Sequence, residues 1–479
     1  MKFLDAFKKS EAKLTSTENG IATLSGSSNA CVDLFFQAAA MRGQNRNQLI
    51  ALFDYAYAEN PRTAMKILFW IRDIRGGAGE RQIFRDIAAY STLIDVDVIR
   101  KNMKNIAEYG RWDDILIFMD TELERSALRC IAAALNAEDG LCAKWMPRKG
   151  EIANKIRKYM RMDPKSYRKM LVRLTEVVES QMCARQWQAI DYNKVPSLAS
   201  ARYQKAFMRN DERRYQKYIN KLSKGEAKIN ASAVYPYDIL KSLTRGEKEV
   251  AELQWQSLPN WVAESNKKIL PIVDVSGSMC CPAGGNANVT CMDVAVSLGL
   301  FIAERNKGLF KDAFISFSAN PQMHFLKGSL EKRYNQIMRS DWGMNTNVQA
   351  VFELILSKAK SNRISQSEMP DQILILSDME FDVATNSGHW DKIPDWNQTA
   401  QEMIERKFSR AGYRCPQIVY WNIQSRQRNV PVRYDKSGTA LVSGFSPAIM
   451  HSLAKGKEFN PKAIMNETIY SSRYNAVVI

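Results

Sequence analysis

The sequence predicts a multidomain protein in which an all-α, HEAT-like solenoid precedes an α/β domain with a Rossmann-like, mostly parallel sheet. Helical periodicity dominates residues 29–260, where strand signals are few. After about residue 265, short apolar segments alternate with helix-like segments, which is the pattern of a parallel sheet covered on both faces. We therefore delimit a flexible N-terminal arm (1–28), a helical domain (29–260) and an α/β domain (265–479).

The helical domain follows an arm that ends in a cluster of Gly, Ser, Thr and Asn. NQLIALFDYAYAENPRTAMKILFWIRDI, residues 47–74, contains two apolar-faced helices that separate at Asn60-Pro61, because proline fits the first turn of a helix. Further short amphipathic helices with brief turns follow, and they predict stacked helix pairs. No strict sequence period is present.

A glycine-rich segment, RGGAGER at residues 75–81, interrupts the helical pattern. It lacks the Lys-Ser/Thr ending of a phosphate-binding loop, and it follows a helix rather than a strand. We therefore predict a helix-breaking turn. The alternative is that Arg72, Arg75 and Arg81 face an anion.

The positive charge of the chain is concentrated in one basic segment. The net charge is +17, and the stretch from Lys144 to Lys228 contains 22 Lys or Arg against 8 Asp or Glu. Such a field attracts a polyanion. The interleaved tyrosines suit the bases of single-stranded nucleic acid; they are Tyr159, Tyr167, Tyr203, Tyr215 and Tyr218. The alternative is a solvated helical surface whose tyrosines pack half-buried between helices.

We predict that RNA binds along segment 144–228 through cationic side chains spaced on helical faces. The candidate RNA-binding residues are Arg148, Lys149, Lys155, Arg157, Lys158, Arg161, Lys165, Arg168, Lys169, Arg173, Arg202, Lys205, Arg209, Arg213, Arg214 and Lys217.

The α/β domain opens with a candidate metal site. PIVDVSGSMC, residues 271–280, ends a predicted buried strand with Asp274, Ser276 and Ser278. These are hard oxygen donors, which suit Mg²⁺ or another hard divalent cation such as Mn²⁺ or Ca²⁺. Ligands of open α/β sheets bind beyond the carboxyl ends of the strands, where this segment is predicted to lie.

Two later segments extend this pattern. DWGMNTNVQAVF places Thr346 in a loop before a helix, and ILILSDMEF places Asp378 at the end of a strand. The order and context of all five positions resemble the von Willebrand factor A domain and its metal-ion-dependent adhesion site (MIDAS). The resemblance implies that the two serines and the threonine ligate through hydroxyls and that the two aspartates lie close, partly through water. An open coordination position would then accept an acidic side chain or a phosphate.

The whole layout resembles the Ro/TROVE ribonucleoprotein family, and more closely an uncharacterised family of the same layout in bacteria, plants and phages. Four segments carry the closer resemblance: RDIRGGAGER (72–81), SDMEFD (377–382), WN (421–422) and SGFS (443–446). Ro proteins form a helical ring closed by the A domain, and they bind small structured RNAs and the single-stranded ends of misfolded RNAs. The resemblance implies an RNA-binding scaffold or chaperone of the TROVE-like type.

Other features of the sequence indicate the cellular compartment. No apolar run reaches the roughly 18 residues that cross a bilayer, and the N-terminus lacks the pattern of a signal peptide. Eight cysteines occur without a CxxC pair, which favours reduced thiols in the cytoplasm and disfavours zinc. Cys280 and Cys281 are expected to be small packing residues.

Three functions compete. The first is a non-enzymatic RNA-binding scaffold with a divalent metal site. The alternative is a metal-dependent protein-protein interaction adaptor without physiological RNA, whose partner supplies an acidic residue to the metal. A metal-dependent nuclease is disfavoured, because one ion with mostly neutral ligands and no positioned base is a poor nuclease centre.

Overall fold

The computed structural model describes residues 13–175, 177–227, 229, 234–283, 288–317, 321–339, 347–381, 399–455 and 458–479. Its N-terminal part is rich in helices: α1 (Ala30–Gln37), α2 (Arg46–Glu59), α3 (Pro61–Arg72), α4 (Arg81–Ile94), α5 (Val96–Lys101), α6 (Met103–Tyr109), α7 (Glu124–Asn136), α8 (Gly140–Trp145), α9 (Glu151–Tyr159), α10 (Pro164–Leu174), α11 (Val178–Cys183), α12 (Ser197–Ser223), α13 (Pro236–Thr244) and α14 (Lys248–Gln256). Among the described helices of the chain, none has the length and apolar character needed to cross a bilayer.

The boundary between α2 and α3 follows directly from the sequence. The side chain of Asn60 accepts a hydrogen bond from the backbone N–H of Thr63, and Pro61 occupies the first turn of α3. Consecutive helices such as α2, α3 and α4 pack against one another. The helical N-terminal part predicted from periodicity is therefore confirmed.

The C-terminal part contains a six-stranded mixed sheet. Its strands are β3 (Ile269–Asp274), β4 (Ala313–Phe317), β5 (Gln322–Phe325), β6 (Gln372–Ser377), β7 (Gln417–Asn422) and β8 (Thr439–Ser443), and its helices are α15 (Cys291–Arg305), α16 (Leu330–Met338), α17 (Val348–Ser361), α18 (Ala400–Ala411), α19 (Met450–Lys455) and α20 (Pro461–Ile469). The order is β5-β4-β3-β6-β7-β8, and all neighbours are parallel except β4 and β5. This confirms the predicted mostly parallel α/β sheet.

The strand order reverses at β3, because β4 lies on one side of β3 and β6 on the other. Parallel strands bring their carboxyl ends to the same edge of the sheet. The reversal therefore lies where β3 and β6 end side by side, at Asp274 and Ser377. Open α/β sheets bind ligands at this kind of position.

The N-terminal arm predicted over residues 1–28 differs from the structure where it is described. Residues 13–28 contain an antiparallel hairpin, β1 (Leu14–Ser16) and β2 (Ala22–Leu24), which we call the N-terminal hairpin. Its Thr17 hydroxyl donates to the carbonyl of Phe381 at 2.7 Å, and Leu24 pairs with Val430. The local composition is turn-like, but contacts with distant residues order the segment.

The helical and α/β parts share one buried apolar core that extends from Leu24 to Val477. Helix α1 packs on the edge strand β8, where the Ser443 hydroxyl donates to the carbonyl of Phe35 at 2.8 Å. Helix α20 and the residues after it return to pack on α3. The sequence division near residue 265 is therefore not a gap between two separate cores.

The RGGAGER turn lies at this junction. A side chain at Gly77 would overlap the carbonyl oxygen of Trp70, so the turn needs glycine there. Gly444 of the SGFS segment lies against Ala78 and Ala39, and the Trp421 indole N–H donates to the carbonyl of Gly444 at 2.8 Å. The RGGAGER, WN and SGFS segments thus meet in one interface.

The arginines around this turn are held by protein groups. Arg72 is buried and donates to Asp114 at 2.7 Å, and Arg75 donates to the carbonyl of Glu108 at 3.1 Å. Arg81 is more exposed and lies 3.8 Å from Asp113. The structure therefore favours the helix-breaking turn over the anion-binding alternative.

Candidate metal and RNA sites

Asp274 lies at the end of β3 with its side chain fully buried. Its Oδ1 accepts the backbone N–H of Ser276 at 2.9 Å, and its Oδ2 accepts the hydroxyl of Ser377 at 2.6 Å. Burial, together with the negative charge of Asp378, raises the pKa of Asp274 to about 7, although hydrogen bonds from Ser377 and Ser276 lower it in part. A cation between the two carboxylates would relieve both effects.

Ser276 and Ser278 lie in the short turn that leaves β3. Ser276 is buried, Ser278 is half-buried, and their hydroxyl oxygens are 3.0 Å apart. The structure thus brings three of the predicted ligands, Asp274, Ser276 and Ser278, to one end of one strand. Thr346 lies outside the described residues.

Asp378 follows β6 and is also buried. Its Oδ1 accepts the backbone N–H of Glu380 at 3.3 Å, and its Oδ2 pairs with the guanidinium of Arg426. Arg426 also lies 3.8 Å from the carboxylate of Glu18 in the N-terminal hairpin. One of the two predicted carboxylate ligands therefore already has a positively charged partner.

Glu380 adds a third buried carboxylate beside this pair. It accepts the backbone N–H of Glu18 at 2.7 Å and the amide of Asn429 at 3.0 Å. Burial raises its pKa to about 7, and the charge of Asp378 contributes. The N-terminal hairpin is thereby attached directly to the edge of the candidate metal site.

The donors fit a hard cation by their chemistry. Asp274 and Asp378 supply carboxylate oxygens, and Ser276 and Ser278 supply hydroxyl oxygens, which Mg²⁺ accepts. Within the part of the chain that the structure describes, no group of three or more His, Cys, Asp or Glu side chains is arranged to hold a metal. A cation site here would therefore depend on the serine hydroxyls. Arg426 would have to share Asp378 with the cation or move away from it.

The sequence reasoning missed Ser377 and Arg426. Ser377 directly precedes Asp378 in the SDMEFD segment. Its position at the polar end of β6 could therefore have marked it as a residue of the site. Arg426 comes 48 residues after Asp378, and no local pattern indicates that the two side chains meet. It also missed that Cys281 meets Cys291.

Cys281 and Cys291 lie beside this site. Their sulfur atoms are 3.6 Å apart, and both thiols donate to Oε1 of Gln424, at 2.6 and 2.9 Å. The hydrogen bond with Cys291 and the positive charge of Arg426 together lower the pKa of Cys281 to about 7, against the effect of burial. The Cys291 pKa is raised, first by its interaction with Cys281 and then by burial. Cys281 is thus more than the packing residue that the sequence predicts.

The candidate RNA-binding side chains occur mainly on α9, α10 and α12. Thirteen of the sixteen are exposed, namely Arg148, Lys149, Lys158, Arg161, Lys165, Arg168, Lys169, Arg173, Arg202, Lys205, Arg209, Arg213 and Lys217. The opposite faces of the same helices bury residues such as Ile156, Leu171 and Phe207. The helices therefore present cations outward, and we call these thirteen side chains the basic surface.

Three candidates are less exposed: Lys155, Arg157 and Arg214. Lys155 pairs with Asp120 and with Glu124. Arg214 pairs with Asp211 at 2.8 Å and also donates to main-chain carbonyls that precede α12. Lys155 and Arg214 therefore connect structural elements, whereas the sequence assigned them to RNA.

The tyrosines of the basic segment divide between the two interpretations. Tyr167, Tyr215 and Tyr218 are buried, so they pack in the core as the alternative held. Tyr203 is half-buried, and its hydroxyl bonds Glu179 at 3.2 Å. Tyr159, 40% exposed, is the tyrosine of this set best placed to stack on a base.

Two family models match the chain. One, described as Domain of unknown function (DUF2828), matches residues 17–94 and 125–267, and the other, described as Domain of unknown function (DUF7788), matches residues 268–474. Uncharacterized protein L728 of Acanthamoeba polyphaga mimivirus is 29% identical over 528 residues, covering 98% of this chain and 89% of the relative.

Among solved structures, the crystal structure of the Deinococcus radiodurans Ro (RSR) protein is similar with a TM-score of 0.39 and 13% identity. The likeness covers 88% of this chain and 91% of that chain.

Proposed function

We propose that this protein is a non-enzymatic, cytoplasmic RNA-binding scaffold or chaperone, which binds RNA on the basic surface. The observation that carries the proposal is the exposure of thirteen cations in segment 144–228, most of them on helices whose other faces are buried in the apolar core. Neutralising phosphates with Lys and Arg releases counterions and gives affinity without a dedicated pocket.

A salt-dependent binding titration tests this proposal. Short labelled single-stranded RNA and a labelled hairpin RNA are titrated with the full chain at several salt concentrations. We expect micromolar or tighter binding that weakens steadily with salt, because phosphate contacts dominate. Binding that is absent, or that does not respond to salt, would remove the proposal.

Matched double variants locate the surface. Arg168→Gln with Lys169→Gln removes two exposed cations from α10, whereas Lys358→Gln with Lys360→Gln removes two exposed cations from α17 of the α/β part. The first pair should weaken binding and reduce the salt slope by about 2, and the second pair should leave both unchanged. Equal losses for the two pairs would indicate a response to net charge alone.

We also propose that Asp274, Ser276, Ser278 and Asp378, together with Thr346, hold a divalent cation, with Mg²⁺ first and Mn²⁺ or Ca²⁺ as substitutes. The buried carboxylates and nearby hydroxyls where β3 and β6 end support it. A bound cation would supply an electrophilic position for an acidic side chain or a phosphate of a partner.

Calorimetric titration of the full chain with Mg²⁺, Mn²⁺ and Ca²⁺ tests the metal proposal. Ser276→Ala and Ser278→Ala should each weaken cation binding, whereas Ser367→Ala, an exposed serine near the opposite end of the sheet, should not. If all three variants bind cations like the unaltered chain, the cation is not held by these hydroxyls.

A metal-dependent protein-interaction adaptor is the second candidate. It is favoured by the position of Ser278, which is only half-buried. Its hydroxyl therefore lies partly at the surface, where the carboxylate of a partner can approach the candidate metal site. In a pull-down, Asp274→Ala should abolish the partner and leave RNA binding intact. A partner list unchanged by Asp274→Ala would count against the adaptor.

A further inference from the structure

Cys281 and Cys291 lie opposite each other in a short antiparallel ladder formed by residues 281–283 and 289–291. The backbone N–H of Cys291 donates to the carbonyl of Cys281 at 3.0 Å. Beyond them, Pro282 bridges Thr290 in antiparallel register, and Ala283 donates to Val289 at 2.7 Å. The main chain therefore fixes the two cysteines as a cross-strand pair.

This register is compatible with a disulfide. Directly opposed residues joined by an antiparallel hydrogen bond have Cα atoms about 5.5 Å apart, inside the range found in disulfides. The two sulfur atoms are 3.6 Å apart and point at the same amide oxygen of Gln424. Bond formation requires the two sulfur atoms to approach from 3.6 Å to about 2.05 Å.

The two thiols differ in access. Cys281 is half-buried, so a small reagent can reach it, whereas Cys291 is buried behind it. A pair made of one reachable thiol and one sheltered thiol is the arrangement expected of attacking and resolving cysteines.

We propose that Cys281 and Cys291 form a reversible disulfide by exchange with a low-molecular-weight disulfide such as oxidised glutathione. The Cys281 thiolate attacks one sulfur of glutathione disulfide and releases one glutathione thiolate. The Cys291 thiolate then attacks the Cys281 sulfur of the mixed disulfide and releases the second glutathione. Two protein thiols lose two protons and two electrons, and one glutathione disulfide becomes two glutathione thiols.

The disulfide would lock the loop that follows the serine turn. Cys281 directly follows the helical turn Gly277–Cys280, and Cys291 begins α15, whose cap is Thr290. The bond would therefore tie the turn that carries Ser278 to the start of a core helix. This inference rests on the cysteine geometry and is independent of whether RNA or a cation binds.

The test is a glutathione redox titration of the reduced full chain. After equilibration in buffers of increasing glutathione disulfide, samples are quenched with acid, free thiols are alkylated, and peptides are mapped by mass spectrometry. We expect a peptide pair linked through Cys281 and Cys291 that rises with oxidation and disappears on reduction. In Cys291→Ser, glutathione should accumulate on Cys281, because the resolving thiol is gone.

Cys280→Ser is the matched control, since Cys280 is exposed and adjacent in sequence but has no such cross-strand partner in the described structure. It should keep the linked peptide. The proposal is overturned if Cys280→Ser abolishes the link, or if no Cys281–Cys291 peptide forms at any glutathione ratio while exposed Cys183 becomes glutathionylated.

Discussion

Tyr474 donates a hydrogen bond to Asp73 at 2.9 Å, between residues that are 401 positions apart in the chain. Arg473 pairs with the same carboxylate, at 2.6 Å from its second oxygen. Asp73 is fully buried at the end of α3. Asp73 therefore holds Arg473 and Tyr474 against the helical part, alongside other hydrogen bonds such as that from Lys66 to the carbonyl of Tyr474.

The Asp73 contacts should stabilise the whole fold. Tyr474→Phe is expected to lower the free energy of unfolding by about 1 kcal/mol, the net value of one hydrogen bond. Asp73→Asn should cost about 3 kcal/mol, because it removes the charge that Arg473 pairs with. Urea denaturation followed by circular dichroism measures both. Tyr55→Phe, at a side chain that is 68% exposed, is the control and should change stability little.

Gly77→Ala should be strongly destabilising, by about 3 kcal/mol, because a β-carbon there meets the carbonyl of Trp70. Gly246→Ala is the comparison. Gly246 has a φ of +89° but open space around it, so only backbone strain of about 1 kcal/mol is expected. Equal thermal shifts in the two variants would show that the RGGAGER turn can relax around a side chain.

Because of Asp33, the free energy of unfolding should decrease as the pH rises from the pKa of this residue in the unfolded state to its pKa in the folded state. Burial raises the pKa of Asp33 to about 6, so the folded state binds a proton that the unfolded state has released. Asp33→Asn should therefore raise the melting temperature at pH values above about 6 and change it little near pH 4. A gain of the same size at both pH values would contradict this.

Arg426→Gln should strengthen binding of Mg²⁺ about tenfold, equivalent to about 1.4 kcal/mol, because it removes the positive charge paired with Asp378. Arg428→Gln, at a neighbouring exposed arginine, is the charge-matched control and should have a much smaller effect. Calorimetry at constant ionic strength measures both. An unchanged affinity for Arg426→Gln would show that the cation does not use Asp378.

Arg214→Gln should behave unlike a substitution on the basic surface. Its guanidinium donates to the carbonyls of Trp187 and Ile190, at 2.9 and 2.8 Å. We expect a loss of about 2 kcal/mol in stability with little change in RNA affinity. Arg168→Gln should do the reverse. Equal RNA affinities for the two variants would argue against a structural role for Arg214 and an RNA-binding role for Arg168.

The sequence correctly predicted the structural features that depend on residues close together in the chain. The proline at residue 61 and the cap at Asn60 placed the break between α2 and α3, and the apolar run before Asp274 placed β3. Strand β8 escaped notice because Thr439–Ser443 is short and lies beyond a run of polar turns. The N-terminal hairpin escaped because its order comes from Phe381 and Val430.

The candidate site divides in the same way. Asp274, Ser276 and Ser278 lie within five positions, so their spacing alone indicated a candidate metal site. Arg426 pairs with Asp378, Glu18 lies 3.8 Å from Arg426, and Gln424 accepts from Cys281. These contacts join residues far apart in the sequence, so no local pattern indicates them.

The packing of α1 against β8 has a consequence for biosynthesis. Helix α1 is translated long before the strand that packs on it, β8. Until then the apolar side chains of Phe35 and Phe36 lack their final cover. We therefore expect the helical part to be prone to aggregation until β8 has been made, and a stop codon before β8 should yield a product that cellular quality control degrades.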